Sequence, residues 1–227
     1  MIKVILVDIE GTISPINFVK NVMFPYSKEN LGKFLKENYD KPEIKKILED
    51  VEKIEGRKLQ LDEIIQLLKK WIDEDKKLTP LKEIQGYIWE EGFKSGKLKA
   101  PLFEDAYKKL KEWKKKGYKI FIYSSGSVKA QKLFFSHSEF GNILNLFNGH
   151  FDTKIGNKKD KNSYLRIAKE LGVNPNEIIF LSDSLEEIIA AKESGMNVIK
   201  VSREGETEWV DNLSGIKQVK SFNELDI

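Results

Sequence analysis

"VILVDIEGT", residues 4–12, decides the fold. Four apolar residues, Val4 to Val7, stop abruptly at Asp8, and Glu10, Gly11 and Thr12 follow at once. An apolar run of this length reads as a strand buried on both faces, as in a parallel sheet. A carboxylate at the end of such a strand is costly to leave alone, so it calls for a partner or a metal.

The same pattern returns further along. "YKIFIYSSGS" (118–127), "IIFLSDS" (178–184) and "NVIKVS" (197–202) are apolar runs of strand length. Amphipathic stretches lie between them, at Glu104–Lys116, Lys161–Leu171 and Leu185–Ser194. Strands alternating with helices predict an α/β fold with a Rossmann-like parallel sheet wrapped by helices. Residues 17–100 read differently. "LDEIIQLLKKWIDEDK" places Leu61, Ile64, Ile65, Leu68, Trp71 and Ile72 at three- and four-residue spacing, as a helix does. The predicted layout is an α/β core of residues 1–16 and 101–227, with an all-helical cap of residues 17–100 inserted after the first strand.

Ligands of open parallel sheets sit at the carboxyl ends of the strands. Asp8, Ser124-Ser125 and Asp183 each stand just past an apolar run, so one cleft should gather them. Asp8 by itself reads as a turn residue. Followed by Glu10, Gly11 and Thr12, it reads as a carboxylate nucleophile with a helper acid. Asp183 reads either as part of a helix N-terminus, with Glu186 and Glu187 complementing the dipole, or as one of two acids around a hard cation. Mg²⁺ suits such an oxygen donor set. "SSGS" (124–127) is either an ordinary loop or an anion-binding turn. The loop 152–164 offers Lys154, Lys158, Lys159 and Lys161, and composition does not choose among them.

Other chemistries are disfavoured. The 227 residues contain no cysteine, which excludes disulfides and thiolate catalysis. His137 and His150 are the only histidines and lack metal-ligand spacing, and no Gly-x-Ser-x-Gly elbow is present. The net charge of +3 arises from nearly balanced signs, so no nucleic-acid partner is expected. No apolar segment approaches the roughly 18 residues of a membrane span, and the start lacks a signal peptide's apolar stretch. A cytoplasmic protein is expected, and a monomer, since no long apolar stripe is left over.

The motifs resemble a known family. "DIEGT", then "YSSGS", a lysine after "DTKIG", and "LSDS" are, in order, similar to the four motifs of haloacid dehalogenase-like phosphatases. "SPINFV", "MFPYS", "IQGYIWEEGFKSGKLKAPLF", "IYSSGSVKAQKLFF" and "GHFDTKIGNK" resemble the enolase-phosphatases, or acireductone synthases, over nearly the whole chain. The resemblance implies that Asp8 is the nucleophile. It implies a Mg²⁺ ion held by Asp8, the Glu10 carbonyl and Asp183. It implies that Ser124 and Ser125 bind the substrate phosphate or its adjacent oxygens, and that Lys158, the matching lysine, offsets charge on the phosphoryl oxygens. The implied substrate is 2,3-diketo-5-methylthiopentyl 1-phosphate, enolised and then dephosphorylated to acireductone. The alternative is a Mg²⁺-dependent phosphatase of the same superfamily acting on another small phosphorylated metabolite. Glu10 is the candidate base or proton shuttle for enolisation, its extra methylene reaching further than an aspartate. Trp89, Phe93, Lys94 and Lys97 read either as helix packing and surface or as contacts to the substrate's methylthio end or its phosphate. Glu187 is expected to act at most behind the residues that touch substrate.

Overall fold

In the computed structural model, which describes all residues from Met1 to Ile227, Val4–Val7 forms β1 at the centre of a six-stranded sheet. The other strands are β2 (Lys119–Tyr123), β3 (Gly149–Phe151), β4 (Ile178–Ser182), β5 (Asn197–Val201) and β6 (Lys217–Val219). Their order is β3-β2-β1-β4-β5-β6 and every pairing is parallel. This is the doubly wound order, in which the strand sequence reverses direction beside β1 and opens a crevice at the carboxyl ends. Val7 pairs with Ile122 on one side and Leu181 on the other. Asp8 therefore leaves the sheet level with Tyr123 and Ser182, and its N–H still donates to the Leu181 carbonyl at 3.0 Å.

The chain divides into two units, Met1–Ile16 with Lys99–Ile227, and Asn17–Leu98. The second is all-helical. A π-helical turn (Val19–Met23) leads into α1 (Phe24–Asn38), followed by α2 (Pro42–Glu55), α3 (Leu61–Asp73) and α4 (Thr79–Lys94). The apolar stripe of α3 buries Ile64, Ile65, Leu68 and Trp71 against Leu31 of α1 and Ile84 of α4. Gln60 and Glu63 form a reciprocal cap at the start of α3, satisfying two backbone donors. Trp89 serves packing within this unit. The Trp89 indole donates to the Met23 carbonyl at 2.9 Å and stacks on Phe24, and Phe93 is buried. Lys94 pairs with Glu90 on the surface.

In the α/β unit, α5 (Glu104–Lys115), α6 (Val128–Ser136), α7 (Lys161–Leu171) and α8 (Leu185–Glu193) cover the sheet. Tyr123, Tyr164, Ile167, Phe180 and Ile188 fill one face. The short strands β3 and β6 have no apolar run behind them, and only pairing to a longer neighbour makes them strands. In β3 the register demands Gly149: a Cβ there would lie 2.7 Å from the Phe121 ring.

His150 of β3 is half-buried, with Nδ1 3.1 Å from Gln131 Oε1. Burial, and secondarily the Lys132 charge, pull its pKa down to about 4. A depressed imidazole contributes stability above its unfolded pKa of ~6.5 and loses it as pH falls toward the folded value. His150→Asn should therefore flatten the decline of unfolding free energy from pH 6.5 to 4. After allowance for partial exposure the difference should be ~1–2 kcal/mol, measured by urea melts across that range. Parallel wild-type and variant profiles would refute the assignment.

Candidate active site

The loop after β1 is wound tightly. Ile9 O accepts from the N–H groups of Thr12, Ile13 and Ser14 at 3.0–3.2 Å, and Gly11 N–H donates to Ser14 O at 2.8 Å. Gly11 has φ +73°, the left-handed region that glycine tolerates best. A Cβ at Gly11 would sit 2.5 Å from Asp183 Oδ2, so the glycine also makes room for that carboxylate. Thr12 links the two acids. Its hydroxyl donates to Asp8 Oδ2 at 3.2 Å and accepts from the Asp183 N–H at 3.1 Å.

Lys158 completes the group. Its Nζ lies 2.6 Å from Asp8 Oδ1 and 2.9 Å from Glu187 Oε2. Of the four lysines at 154–161 it alone is buried, which makes the choice composition left open. The first turn of α7 places it: Ser163 Oγ donates to the Asn157 carbonyl and Tyr164 Oη to the Lys158 carbonyl, at 2.7 and 2.5 Å. Burial pulls the ammonium pKa down, but the charges of Asp8 and Glu187 reverse this and raise it. Lys158 thus stays charged at any physiological pH.

Two carboxylates, Asp8 and Glu187, meet this single ammonium, and a third, Asp183, lies beside Asp8. Burial, then the Asp8 charge, push the Asp183 carboxyl up to about 7. The same two causes raise Glu187, against the Lys158 charge and a 2.8 Å bond from Ser182 Oγ. Negative charge therefore exceeds positive in a partly desolvated place. An added divalent cation would relieve it, and the oxygen donors suit Mg²⁺ rather than a soft metal. No group of three or more His, Cys, Asp or Glu side chains is arranged as a metal cage. Mg²⁺ does not need one, since it binds through one or two carboxylates and keeps several waters.

Of the expected residues, Asp8, Lys158 and Asp183 converge directly. Ser124 is buried at the end of β2, next to β1, and its Oγ accepts from Gly126 N–H at 3.3 Å. Ser125 is exposed and Glu10 half-buried. Asp152 ties this region together, accepting from Val128 N–H and Lys154 N–H at 3.1 and 2.9 Å. Glu187 lies against Lys158, behind the residues proposed to touch substrate. It is more than a complement to the helix dipole, because it touches Lys158 itself. Its signal was its place four residues after Asp183, one helical turn on. Thr207, whose hydroxyl donates to Asp183 Oδ2 at 2.8 Å, had no local signal at all.

Comparison with known proteins first gives a class. A family model described as haloacid dehalogenase-like hydrolase matches residues 2–195. The solved structure of UTR4 protein from Saccharomyces cerevisiae superposes with a TM-score of 0.85 at 31% identity, covering 99% of this chain and 100% of that one. Curated relatives then narrow the class. Enolase-phosphatase E1 of Aquifex aeolicus (strain VF5) is 63% identical over 227 residues, 100% of each chain. Enolase-phosphatase E1 of Persephonella marina (strain DSM 14350 / EX-H1) is 60% identical over 225 residues, 99% of each. The chain belongs to the enolase-phosphatase family of haloacid dehalogenase-like hydrolases, and it is a phosphatase. No helix is long and apolar enough to cross a membrane.

Proposed function

We propose that the protein enolises 2,3-diketo-5-methylthiopentyl 1-phosphate and then removes its phosphate to yield acireductone. The observation that carries this reading is Lys158, seated 2.6 Å from Asp8 at the carboxyl edge of the sheet. Its support is the full-length similarity to proteins called enolase-phosphatase E1.

In the first step a base takes a carbon-bound proton beside a carbonyl, and the electron pair moves to the carbonyl oxygen. Glu10 is the proposed base, two residues beyond the nucleophile. In the second step an Asp8 carboxylate oxygen attacks phosphorus. The bond from phosphorus to the substrate oxygen breaks, and that oxygen takes the proton that Glu10 removed in the first step. Water then attacks the aspartyl-phosphate, releasing inorganic phosphate and restoring Asp8. Lys158 offsets charge on the phosphoryl oxygens, and Glu187 holds the ammonium in place. Ser124 and Ser125 bind the phosphate. Asp8, the Glu10 carbonyl and Asp183 would hold Mg²⁺. Bound there, the ion supplies Lewis-acid polarisation of phosphoryl and carbonyl oxygens.

The test follows the enol absorbance and inorganic phosphate together after mixing enzyme with the diketone phosphate. An enol signal preceding phosphate is expected. Phosphate without a preceding enol would replace this reading by a phosphatase acting on another small phosphorylated metabolite. Glu10→Gln should slow enol formation ~10²-fold or more, the usual weight of a general base. Wild-type enol formation in that variant would remove Glu10 from the role.

A further inference from the structure

The loop between β5 and β6 makes three contacts to the site from a part of the chain that no phosphatase motif includes. Arg203 Nε donates to the Thr12 carbonyl at 2.8 Å. Glu206 Oε2 accepts from Ile16 N–H at 2.6 Å. Thr207 Oγ1 donates to Asp183 Oδ2 at 2.8 Å. One turn thus grips the loop after β1 at two points, Thr12 and Ile16, and the carboxylate of Asp183.

The turn is itself held rigidly. Arg203 is buried, its guanidinium 4.0 Å from the Phe103 ring centroid, with Nη1 3.0 Å from both oxygens of Asp105. Asp105 also accepts from Ser221 Oγ and Phe222 N–H, at 2.8 and 2.7 Å. On the other side Lys200, fully buried, donates to Ser202 Oγ and to the Glu208 carbonyl. Ser202 Oγ in turn donates to Gln218 Oε1 at 2.8 Å. A buried lysine bonded to neutral oxygens is costly, and here it fastens the loop at Glu208, next to Thr207.

Asp183 needs such support. Its Oδ2 lies in the space that the missing Cβ of Gly11 leaves open, and Thr207 Oγ1 donates to it there. We propose that Thr207 is a positioning residue whose hydroxyl orients the Asp183 carboxylate for Mg²⁺, with the Arg203–Glu208 turn as its rigid mount. The proposal rests on the reading of Asp183 as a Mg²⁺ ligand.

Removal of an outer hydrogen bond to a ligating group typically weakens metal binding 10–100-fold. The test titrates Mg²⁺ into the full-length wild type, Thr207→Val and Thr207→Ser by calorimetry, with thermal midpoints recorded in EDTA. Thr207→Val should weaken Mg²⁺ binding ~10-fold or more. Thr207→Ser, which keeps the hydroxyl, should stay near wild type. Both should melt in EDTA close to wild type, because the lost bond serves the ligand rather than the fold. Wild-type Mg²⁺ affinity in Thr207→Val would overturn the proposal, and so would equal weakening in both variants. A wild type that takes up no Mg²⁺ would remove the metal assignment itself, and the proposal with it, before any variant is compared.

Discussion

Asp8→Asn is expected to lose phosphate release by at least ~10⁴-fold, because the side chain keeps its shape but loses its nucleophilic oxygen pair. The change is nearly isosteric. The amide oxygen can accept from Lys158 Nζ while its NH₂ donates to the Thr12 hydroxyl, and Lys158 keeps its 2.9 Å bond to Glu187. One of three clustered negative charges disappears, which removes the Coulombic push on Asp183 and Glu187. The variant should therefore fold and melt no lower than wild type. Enolisation does not use the nucleophile, so part of the enol signal should survive and the two activities should separate. Phosphate release, enol absorbance and a thermal melt on one preparation check all three statements. Wild-type phosphatase activity in this protein would overturn the proposed mechanism.

Lys158→Met should cost ~10²–10³-fold in kcat for phosphate release, the scale seen when one preorganised charge donor is removed from a transition state. It should also cost stability. Removing one partner of a buried ion pair leaves the other uncompensated, at ~3–5 kcal/mol. Here two carboxylates, Asp8 and Glu187, lose their shared ammonium. A lysine whose folded pKa is raised contributes stability fully present below its unfolded value of ~10.4 and lost as pH rises through the folded value. The whole contribution is thus at stake near neutrality. Glu187 is raised even with Lys158 present, so without it Glu187 will hold its proton to still higher pH. A protonated Glu187 needs no ammonium. The stability deficit should accordingly be smaller at pH 5 than at pH 8, measured by denaturant melts at both. A deficit independent of pH would show that Lys158 acts there by packing, not charge.

The strands differ in how openly the chain announces them. β1, β2, β4 and β5 carry apolar runs of four or more residues, since a strand covered on both faces has few positions where a polar side chain reaches water. Gly149-His150-Phe151 and Lys217-Gln218-Val219 show no such run, and the expectation of four strands missed both. They are strands because β2 and β5 present unpaired backbone groups on which they add.

By itself the sequence determined a parallel α/β sheet, a helical segment after its first strand, and carboxylates at two strand ends. These follow from local pattern, because burial selects residue type position by position. Only the tertiary structure decided who meets whom. Lys158 reaches Asp8 across 150 positions, and Thr207 reaches Asp183 across 24. It separated buried Ser124 from exposed Ser125. It turned Glu187 from a helix-end charge into a partner of the active lysine. The physical reason is common to all of these. A charge or hydroxyl in an isolated segment has water as its partner, and its chemistry changes only when distant segments exclude that water and replace it with one another.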